Sequence, residues 1–148
     1  MNIAIGADHG GYELKESIKQ YLDSRQISYR DFGTHSGESV DYALIAAPVA
    51  HAVANGEYTL GLVFCGTGMG ISIAANKVKG IRAACCSDYF SAKYTRMHND
   101  ANILCMGGRV VGPGLAQELV EVFLDTPFEG GRHERRVNQI TQLEEGRL

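Results

Sequence analysis

The sequence predicts an α/β fold: a doubly wound, five-stranded parallel sheet with helices on both faces, in a single domain. Three observations predict it. Five short runs typical of β-strands alternate with helical patterns, the connections between them are short, and the 148 residues have the length of one domain. Hydrophobic residues make up 45% of the chain, which is enough to build a sizeable core.

The predicted strands differ in how apolar they are. The first, third and fifth runs are nearly continuous apolar stretches, as expected of strands buried on both faces. In chain order the runs are NIAIGA (2–7), ISYRDF (27–32), LGLVFC (60–65), IRAACC (81–86) and NILCM (102–106). The sequence leaves the strand order open. With the order 2-1-3-4-5, the first and third strands would flank the switch point of the sheet, where such folds bind ligands.

Six helical patterns separate and follow these runs. The first and fifth show apolar residues at i, i+4, i+7 and i+8, in the sets Leu14, Ile18, Tyr21, Leu22 and Leu115, Leu119, Val122, Phe123. The second (41–55) is Ala-rich and ends at Asn55-Gly56, but Pro48 leaves open whether it is one unbroken helix. The other three helices are predicted at 71–78, 87–99 and 132–145.

Composition excludes several classes of function. A net charge of -3 and a pI of about 5.9 argue against a general binder of nucleic acid or anionic membranes. The N-terminus resembles no signal peptide and no apolar run reaches the length of a membrane span, so we expect a cytoplasmic protein. The four cysteines form no C-x-x-C pair. We expect free thiols, with Cys85, Cys86 and Cys105 buried and inert.

The segment FCGTGMGISIAANK (64–77) is the most site-like part of the chain. It lacks the lysine of a Walker A loop, and its third glycine is one position too early for a dinucleotide loop. A strand end, small residues and free N–H groups still form an anion site, for a phosphate or for a transient oxyanion. A tight turn without a ligand is the alternative. Cys65, at the end of the strand, is either a nucleophile, a proton-abstracting base or one more core cysteine.

Further candidates lie at other element ends. Asp8 and His9 end the first strand in GADHGG, and Asp41-Tyr42 opens the second helix, where Asp41 is a possible cap and Tyr42 either a ligand contact or core. His98 precedes Asn99 at the end of the fourth helix, where a histidine also suits the helix dipole.

Three arginines form the cationic set. Arg109 follows the fifth strand, while Arg132 and Arg136 are spaced i, i+4 in GGRHERR and would share a helix face. Arginine suits bidentate phosphate binding, although a solvated charged helix face has the same pattern. The five histidines are scattered, which argues against a metal site.

These motifs together resemble a known family. GADHGG, SVDY, FCGTGMGISIAANK, RMHNDANILCMGGRVVG and FEGGRHERRV occur in this order, from Ile3 to about Leu143, as in the type B ribose-5-phosphate isomerases. That family also contains galactose-6-phosphate and allose-6-phosphate isomerases. The resemblance implies a Rossmann-like fold and an aldose–ketose isomerase without metal or other cofactor, acting on ribose 5-phosphate and ribulose 5-phosphate. It also implies a homodimer, or a dimer of dimers, with active sites shared between subunits and the C-terminal helix (about 132–145) at the interface.

The resemblance also implies roles for particular residues. Cys65 matches the catalytic base, and Thr67 and His98 match positions that open the sugar ring. The enediolate loop runs from Gly66 to Gly70 and includes Gly68 and Met69. The positions near the sugar hydroxyls are Asp8, His9, Tyr42 and Asn99, and those at the phosphate are Arg109, Arg132 and Arg136, with His9 as a further phosphate contact.

Two other functions remain open on the sequence. Within the family, the length of the pocket decides between a five-carbon substrate and a six-carbon one (allose 6-phosphate or galactose 6-phosphate), and the sequence does not show that length. Outside it, Rossmann-like domains also serve as non-catalytic nucleotide-binding modules, although the off-register glycines argue against that function here.

Overall fold

The structure confirms the α/β fold with one five-stranded parallel sheet. The computed structural model describes all 148 residues. Its strands are β1 (Asn2–Ala7), β2 (Ser28–Asp31), β3 (Leu60–Cys65), β4 (Ala83–Cys85) and β5 (Ile103–Gly107). Every pairing in the sheet is parallel, so all carboxyl ends of the strands lie at one edge.

Six helices accompany the strands: α1 (Tyr12–Ser24), α2 (Tyr42–Ala54), α3 (Met69–Ala75), α4 (Tyr89–Asn99), α5 (Pro113–Asp125) and α6 (Arg132–Glu144). Pro48 lies inside α2 without breaking it. Helix α3 begins earlier and ends earlier than its apolar pattern predicts, since Gly68 supplies the left-handed residue before it. None of these helices is long and apolar enough to span a membrane.

The core lies on both faces of the sheet. Helices α1 and α5 pack with Ile3, Ile5 and Leu104 on one face, and α2 and α3 pack with Val63 and Ile103 on the other. This division explains why β1, β3 and β5 are apolar at almost every position. Helix α6 packs against α4.

The strand order is β2-β1-β3-β5-β4, so the order 2-1-3-4-5 is wrong for the last two strands. The crossover through α3 carries the chain one place beyond the neighbour of β3, and β5 then fills the gap. The switch point between β1 and β3 is unaffected. The exchange instead leaves the three-residue β4 as an open edge of the sheet.

A buried ion pair anchors the end of β2. Lys15 is fully buried on α1, where its Nζ donates to both carboxylate oxygens of Asp31 (2.8 and 2.9 Å) and to the Thr34 carbonyl. Lys19 adds a third hydrogen bond to Asp31, at 2.8 Å. Burial alone would raise the pKa of Asp31, but the hydrogen bonds from Lys15 and Lys19 outweigh it and lower that pKa.

Candidate active site

Three loops meet where β1, β3 and β5 end, and we call this region the carboxyl edge: residues 8–11, 65–70 and 107–109. Glycines let their backbones touch. A Cβ on Gly107 would lie 2.5 Å from the Thr67 carbonyl carbon, and one on Gly108 would lie 2.5 Å from the Gly10 carbonyl oxygen. The loops are also tied by the N–H of Gly108, which donates to the Cys65 carbonyl at 2.8 Å. The carboxyl edge is therefore built from backbone held against backbone.

Cys65 lies at the centre of the carboxyl edge. It is the last residue of β3 and is only 5% exposed. The N–H of Gly68 donates to its Sγ at 3.1 Å, which is a suitable arrangement for stabilising a thiolate. Gly68 reaches this position with a φ of 82°, in the left-handed region that favours glycine.

The loop after Cys65 contains backbone N–H groups that are not hydrogen-bonded. The N–H groups of Gly66, Thr67, Gly70 and Ile71 have no acceptor within the chain. Unpaired N–H groups around a thiol form the donor set that a developing oxyanion requires. The free N–H groups expected from the sequence are therefore present, and they lie beside the sulfur.

Asp8 and His9 lie on the neighbouring loop, as the sequence predicts. Asp8 is buried, and its Oδ1 accepts from the N–H groups of Gly10 and Gly11 at 2.8 and 3.2 Å. The other carboxylate oxygen makes no hydrogen bond within the chain. His9 is exposed, and its Nδ1 accepts from the N–H of Val40 at 3.2 Å. That bond leaves the proton of a neutral ring on Nε2, which therefore faces a ligand as a donor.

Tyr42, Thr67 and Met69 complete this side of the site. The Tyr42 ring lies against Gly70, where an added Cβ would come within 2.9 Å of it. Asp41 occupies the N-cap position of α2 but makes no side-chain cap hydrogen bond. Thr67 Oγ1 accepts from the Met69 N–H at 3.2 Å, and both side chains are exposed.

Arg109 is the one arginine of the predicted phosphate set that lies at the carboxyl edge. Its guanidinium lies over the loop that follows Cys65, because a Cβ on Gly66 would be 3.2 Å from its Nη1. The Arg109 N–H donates to the Gly66 carbonyl at 3.0 Å, which fixes the start of the side chain. Arg109 is exposed and forms no ion pair within the chain, so its charge is available to an anionic ligand.

The other predicted site residues lie elsewhere. His98 and Asn99 end α4, and the Asn99 carbonyl accepts from Arg82 Nε at 3.1 Å. Arg82 directly precedes β4, so Asn99 lies near the amino edge of the sheet. The register places that edge about five residues below Cys65, a separation of roughly 15 Å at the usual rise of a strand. Within one chain, His98 and Asn99 do not meet Cys65.

Arg132 and Arg136 belong with His98. Both are exposed on α6, which packs against α4, and neither forms an ion pair within the chain. The predicted helix spacing of these two arginines is therefore confirmed. We call the group His98, Asn99, Arg132 and Arg136 the α4–α6 face. The site residues predicted from the sequence thus fall into two separate groups.

One cluster has the residue types of a metal site. His98, Glu129 and His133 offer ligand atoms that all lie within 4.8 Å of one another. The two imidazole rings are stacked nearly parallel, at 8°. Lone pairs in the planes of parallel rings do not converge on one point, so a cation bound at about 2.0–2.1 Å would require a ring to turn.

Comparison with known proteins agrees with this geometry. The profile described as Ribose/Galactose Isomerase matches residues 3–140. A curated relative named ribose-5-phosphate isomerase B, from Escherichia coli, is 50% identical over 98% of this chain and 97% of its own.

The chain belongs to the Ribose/Galactose Isomerase family. Among solved structures, a Clostridium thermocellum ribose-5-phosphate isomerase B superposes with a TM-score of 0.97, at 53% identity over 99% of both chains. A Mycoplasma genitalium ribose-5-phosphate isomerase B with bound ribulose-5-phosphate superposes with a TM-score of 0.93, at 40% identity over 97% of this chain and 96% of that one. Fold and family resemblance are both confirmed.

One cysteine differs from expectation in this family member. Cys85 is exposed, so the prediction that it is buried was wrong, whereas Cys86 and Cys105 are buried. Because β4 is an edge strand, its last residue meets solvent and the catalytic loop instead of core. The Cys85 Sγ lies 3.8 Å from the Thr67 carbonyl, and partial burial of the sulfur, followed by the proximity of Cys65, raises its pKa.

Sequence reasoning missed three further parts of the site. The close approaches at Gly107 and Gly108 were visible only as a glycine pair after a strand. The N–H of Ile71 adds to the free donors beyond the predicted loop. Glu129 and His133 contact His98 directly, and the one available signal was their place in the same FEGGRHERRV motif as the two arginines.

Proposed function

We propose that this protein is an aldose–ketose isomerase that interconverts D-ribose 5-phosphate and D-ribulose 5-phosphate. The observation that carries the proposal is the Cys65 thiol, set beside a loop whose free N–H groups match a developing enediolate. A related structure with bound ribulose-5-phosphate supports the substrate. Four cysteines without a disulfide support a reducing, cytoplasmic setting.

The reaction divides into ring opening and proton transfer. In ring opening, the O1 hydroxyl loses its proton, the bond from C1 to the ring oxygen breaks, and His98 with Thr67 supplies the proton exchange that this requires. Cys65 then takes the C2 proton, and the electron pair of the broken C–H bond forms the C1–C2 double bond of an enediolate. A proton passes from O2 to O1, and Cys65 returns its proton to C1, which gives the ketose. The N–H groups of the loop hold the negative oxygen throughout the transfer.

The remaining residues orient the sugar phosphate. Asp8, Tyr42 and Asn99 meet the hydroxyl groups, and the Nε2–H of His9 donates to a hydroxyl or to the phosphate. Arg109, Arg132 and Arg136 hold the phosphate, whose binding energy positions the distant reacting carbons.

This assignment requires two chains. Because the α4–α6 face and the carboxyl edge lie at opposite ends of one sheet, His98, Asn99, Arg132 and Arg136 must come from a partner, which we propose to be a second copy in a homodimer. The open edge at β4 supports this, as do the apolar side chains Ile73, Phe90 and Leu143, which are 62 to 67% exposed on α3, α4 and α6. In this dimer, α6 lies at the interface.

A six-carbon substrate is the second candidate, because the family description names galactose as well as ribose. The experiment compares kcat/KM for ribose 5-phosphate, allose 6-phosphate and galactose 6-phosphate, and adds AMP and NAD in thermal-shift assays. We expect ribose 5-phosphate to be preferred and the nucleotides to leave the melting temperature unchanged.

Cys65→Ala should abolish turnover and C1-hydrogen exchange while it still binds the sugar phosphate. Full activity of that variant would overturn the mechanism, and preference for a hexose phosphate would overturn the substrate.

A further inference from the structure

Two imidazole rings and a carboxylate meet where α4, α6 and the segment between α5 and α6 come together. His98 on α4 and His133 on α6 stack with ring centroids 3.9 Å apart. The Oε2 of Glu129 lies 3.6 Å from the Nε2 of His98. His98 thus touches one charged and two aromatic partners, because the Tyr94 ring also meets it edge-on at 5.0 Å, and none of the three has a role in the mechanism above.

Backbone hydrogen bonds fix this arrangement. The Glu129 N–H donates to the Met97 carbonyl at 3.0 Å, and Arg96 Nε donates to the Thr126 carbonyl at 3.3 Å. The segment from 126 to 131 is therefore tied across the last turn of α4. The His133 N–H donates to the Gly130 carbonyl at 3.1 Å, which sets the start of α6 against the same turn. Glu129 and His133 are held relative to His98 by main chain on both sides.

The His133 side chain stacks through its ring but forms no hydrogen bond within the chain. It is 4% exposed, and its Nε2 is buried without any hydrogen-bond partner. Leaving such an atom unpaired costs free energy, so another property of the side chain must account for its position. Burial, and then the charges of His98 and Arg132, lower the pKa of His133, which favours the uncharged ring.

We propose that Glu129 and His133 are positioning residues that hold His98 for ring opening; this rests on the proposed function. The Glu129 carboxylate faces the imidazolium form of His98 and stabilises the proton that His98 delivers to the ring oxygen. The neutral His133 ring keeps the plane of His98 fixed. Two stacked imidazoles at this distance do not readily carry two charges, so an uncharged ring at position 133 suits a partner that handles a proton during the reaction.

The substrate pair offers a way to isolate ring opening. Ribose 5-phosphate is mostly a closed ring, whereas ribulose 5-phosphate is open, because its O5 carries the phosphate and no five-membered ring can form. Exchange of the C1 hydrogen of ribulose 5-phosphate with deuterated solvent therefore needs Cys65 and the oxyanion loop but no ring opening. A group that serves His98 alone should affect only the aldose direction.

The experiment measures both reactions in Glu129→Gln, with Glu118→Gln, an exposed acid on α5, as the matched charge control. We expect Glu129→Gln to lower kcat for ribose 5-phosphate about 10- to 100-fold. The KM values and the C1-hydrogen exchange of ribulose 5-phosphate should stay as in the wild type, and Glu118→Gln should change nothing. An equal loss in both reactions, a raised KM or no loss at all would overturn the role of Glu129.

His133 is tested by two variants that differ only in whether a ring remains. His133→Phe keeps an uncharged ring and discards nitrogens that the fold does not satisfy, so it should retain most aldose turnover. His133→Ala should lose turnover as Glu129→Gln does, with exchange intact. If His133→Phe is as impaired as His133→Ala, the nitrogens act and the positioning role is wrong. Failure of the wild type itself to turn over ribose 5-phosphate would instead overturn the proposed function.

Discussion

The carboxyl edge and the α4–α6 face, which we propose to be the two halves of one site, are built in different ways. At the carboxyl edge, most of the contacts involve main chain. The Cys65 sulfur accepts a hydrogen bond from one N–H, four further N–H groups of the same loop region are free, and glycines let three loops touch. On the α4–α6 face, the functional groups are long side chains on two packed helices, and Arg132 and Arg136 are exposed.

The difference matches what each half must do. Proton transfer from carbon requires the base and the oxyanion donors to be placed to within a fraction of an ångström, which rigid backbone achieves. A phosphate is large, doubly charged and remote from the reacting carbons, so flexible arginines suffice to hold it. The ring opening that we propose for His98 lies between these cases, and the contacts around its imidazole are correspondingly fixed.

The largest expected effect comes from separating the two halves genetically. Cys65→Ala and His98→Asn should each lose at least about 100-fold in turnover when assayed alone. When the two proteins are mixed and their subunits exchanged, about a quarter of the wild-type activity should return, since half of the dimers are mixed and each has one intact site. Activity of the refolded mixture is the measurement.

A second mixture controls for recovery by other means. Cys65→Ala combined with Arg109→Ala should show no gain over the two proteins assayed separately, because both changes lie at the carboxyl edge and each mixed dimer carries a defect in both sites. Recovery there, or its absence in the first mixture, would contradict a site shared between two chains.

A second effect, on stability, tests how firmly the end of β2 is anchored beside the carboxyl edge. Asp31→Asn leaves the fully buried Lys15 without its partner and should destabilise the protein by about 3–5 kcal/mol. Asp125→Asn removes an exposed pair with Arg25, so it should cost less than about 1 kcal/mol. Urea unfolding at neutral pH measures both variants. Equal losses would contradict the anchoring role of Asp31.

The same pair predicts the acid sensitivity of the wild type. The pKa of Asp31 is lowered on folding, so the unfolded chain binds more protons in acid. The stabilisation is therefore complete above the unfolded pKa of about 3.9 and is lost as the pH falls through the folded value. Asp31→Asn should lack this part of the acid dependence, which urea titrations between neutral and acid pH would reveal.

The smallest effect concerns the α4–α6 face. Arg136→Ala removes one charge-assisted contact and should raise KM for ribose 5-phosphate about 10- to 100-fold, with little change in C1-hydrogen exchange at saturation. Arg135→Ala removes the same charge from the neighbouring exposed position and should leave KM unaltered. An unchanged KM in Arg136→Ala would remove that arginine from the phosphate site.

The sequence predicts most of the fold, and its failures have physical causes. The apolar runs identify β1, β3 and β5, because burial on both faces of a parallel sheet leaves a continuous signal, while β2 and β4 are found as shorter β-like runs. The order of β4 and β5 leaves no such signal, since a right-handed crossover reaches either place equally well. The exposure of Cys85 follows from the place of β4 at the edge of the sheet, so the wrong strand order also gives the wrong exposure for this cysteine.

The site was predictable as a set of residues but not as an arrangement. Motifs predict Cys65, His98 and the arginines as site residues, which stays a prediction, while their division between two ends of the sheet depends on the course of α4 in space. Lys15 illustrates the limit: a lysine on an amphipathic helix is ordinarily solvated, and only the position of Asp31 reveals why this one is buried. Contacts between distant segments, such as Glu129 with His98, leave no periodic trace in the sequence.

The placement of His98 at the far end of the sheet from Cys65 makes activity a matter of mass action. In the proposed dimer, dilution below the dissociation constant yields folded chains that no longer catalyse, and specific activity rises with protein concentration. A catalytically inactive copy that still dimerises deprives the other copy of the residues that its site needs from a partner. A chain that is defective in both halves of the site therefore lowers the activity of the intact chain with which it pairs, in proportion to the fraction of mixed dimers.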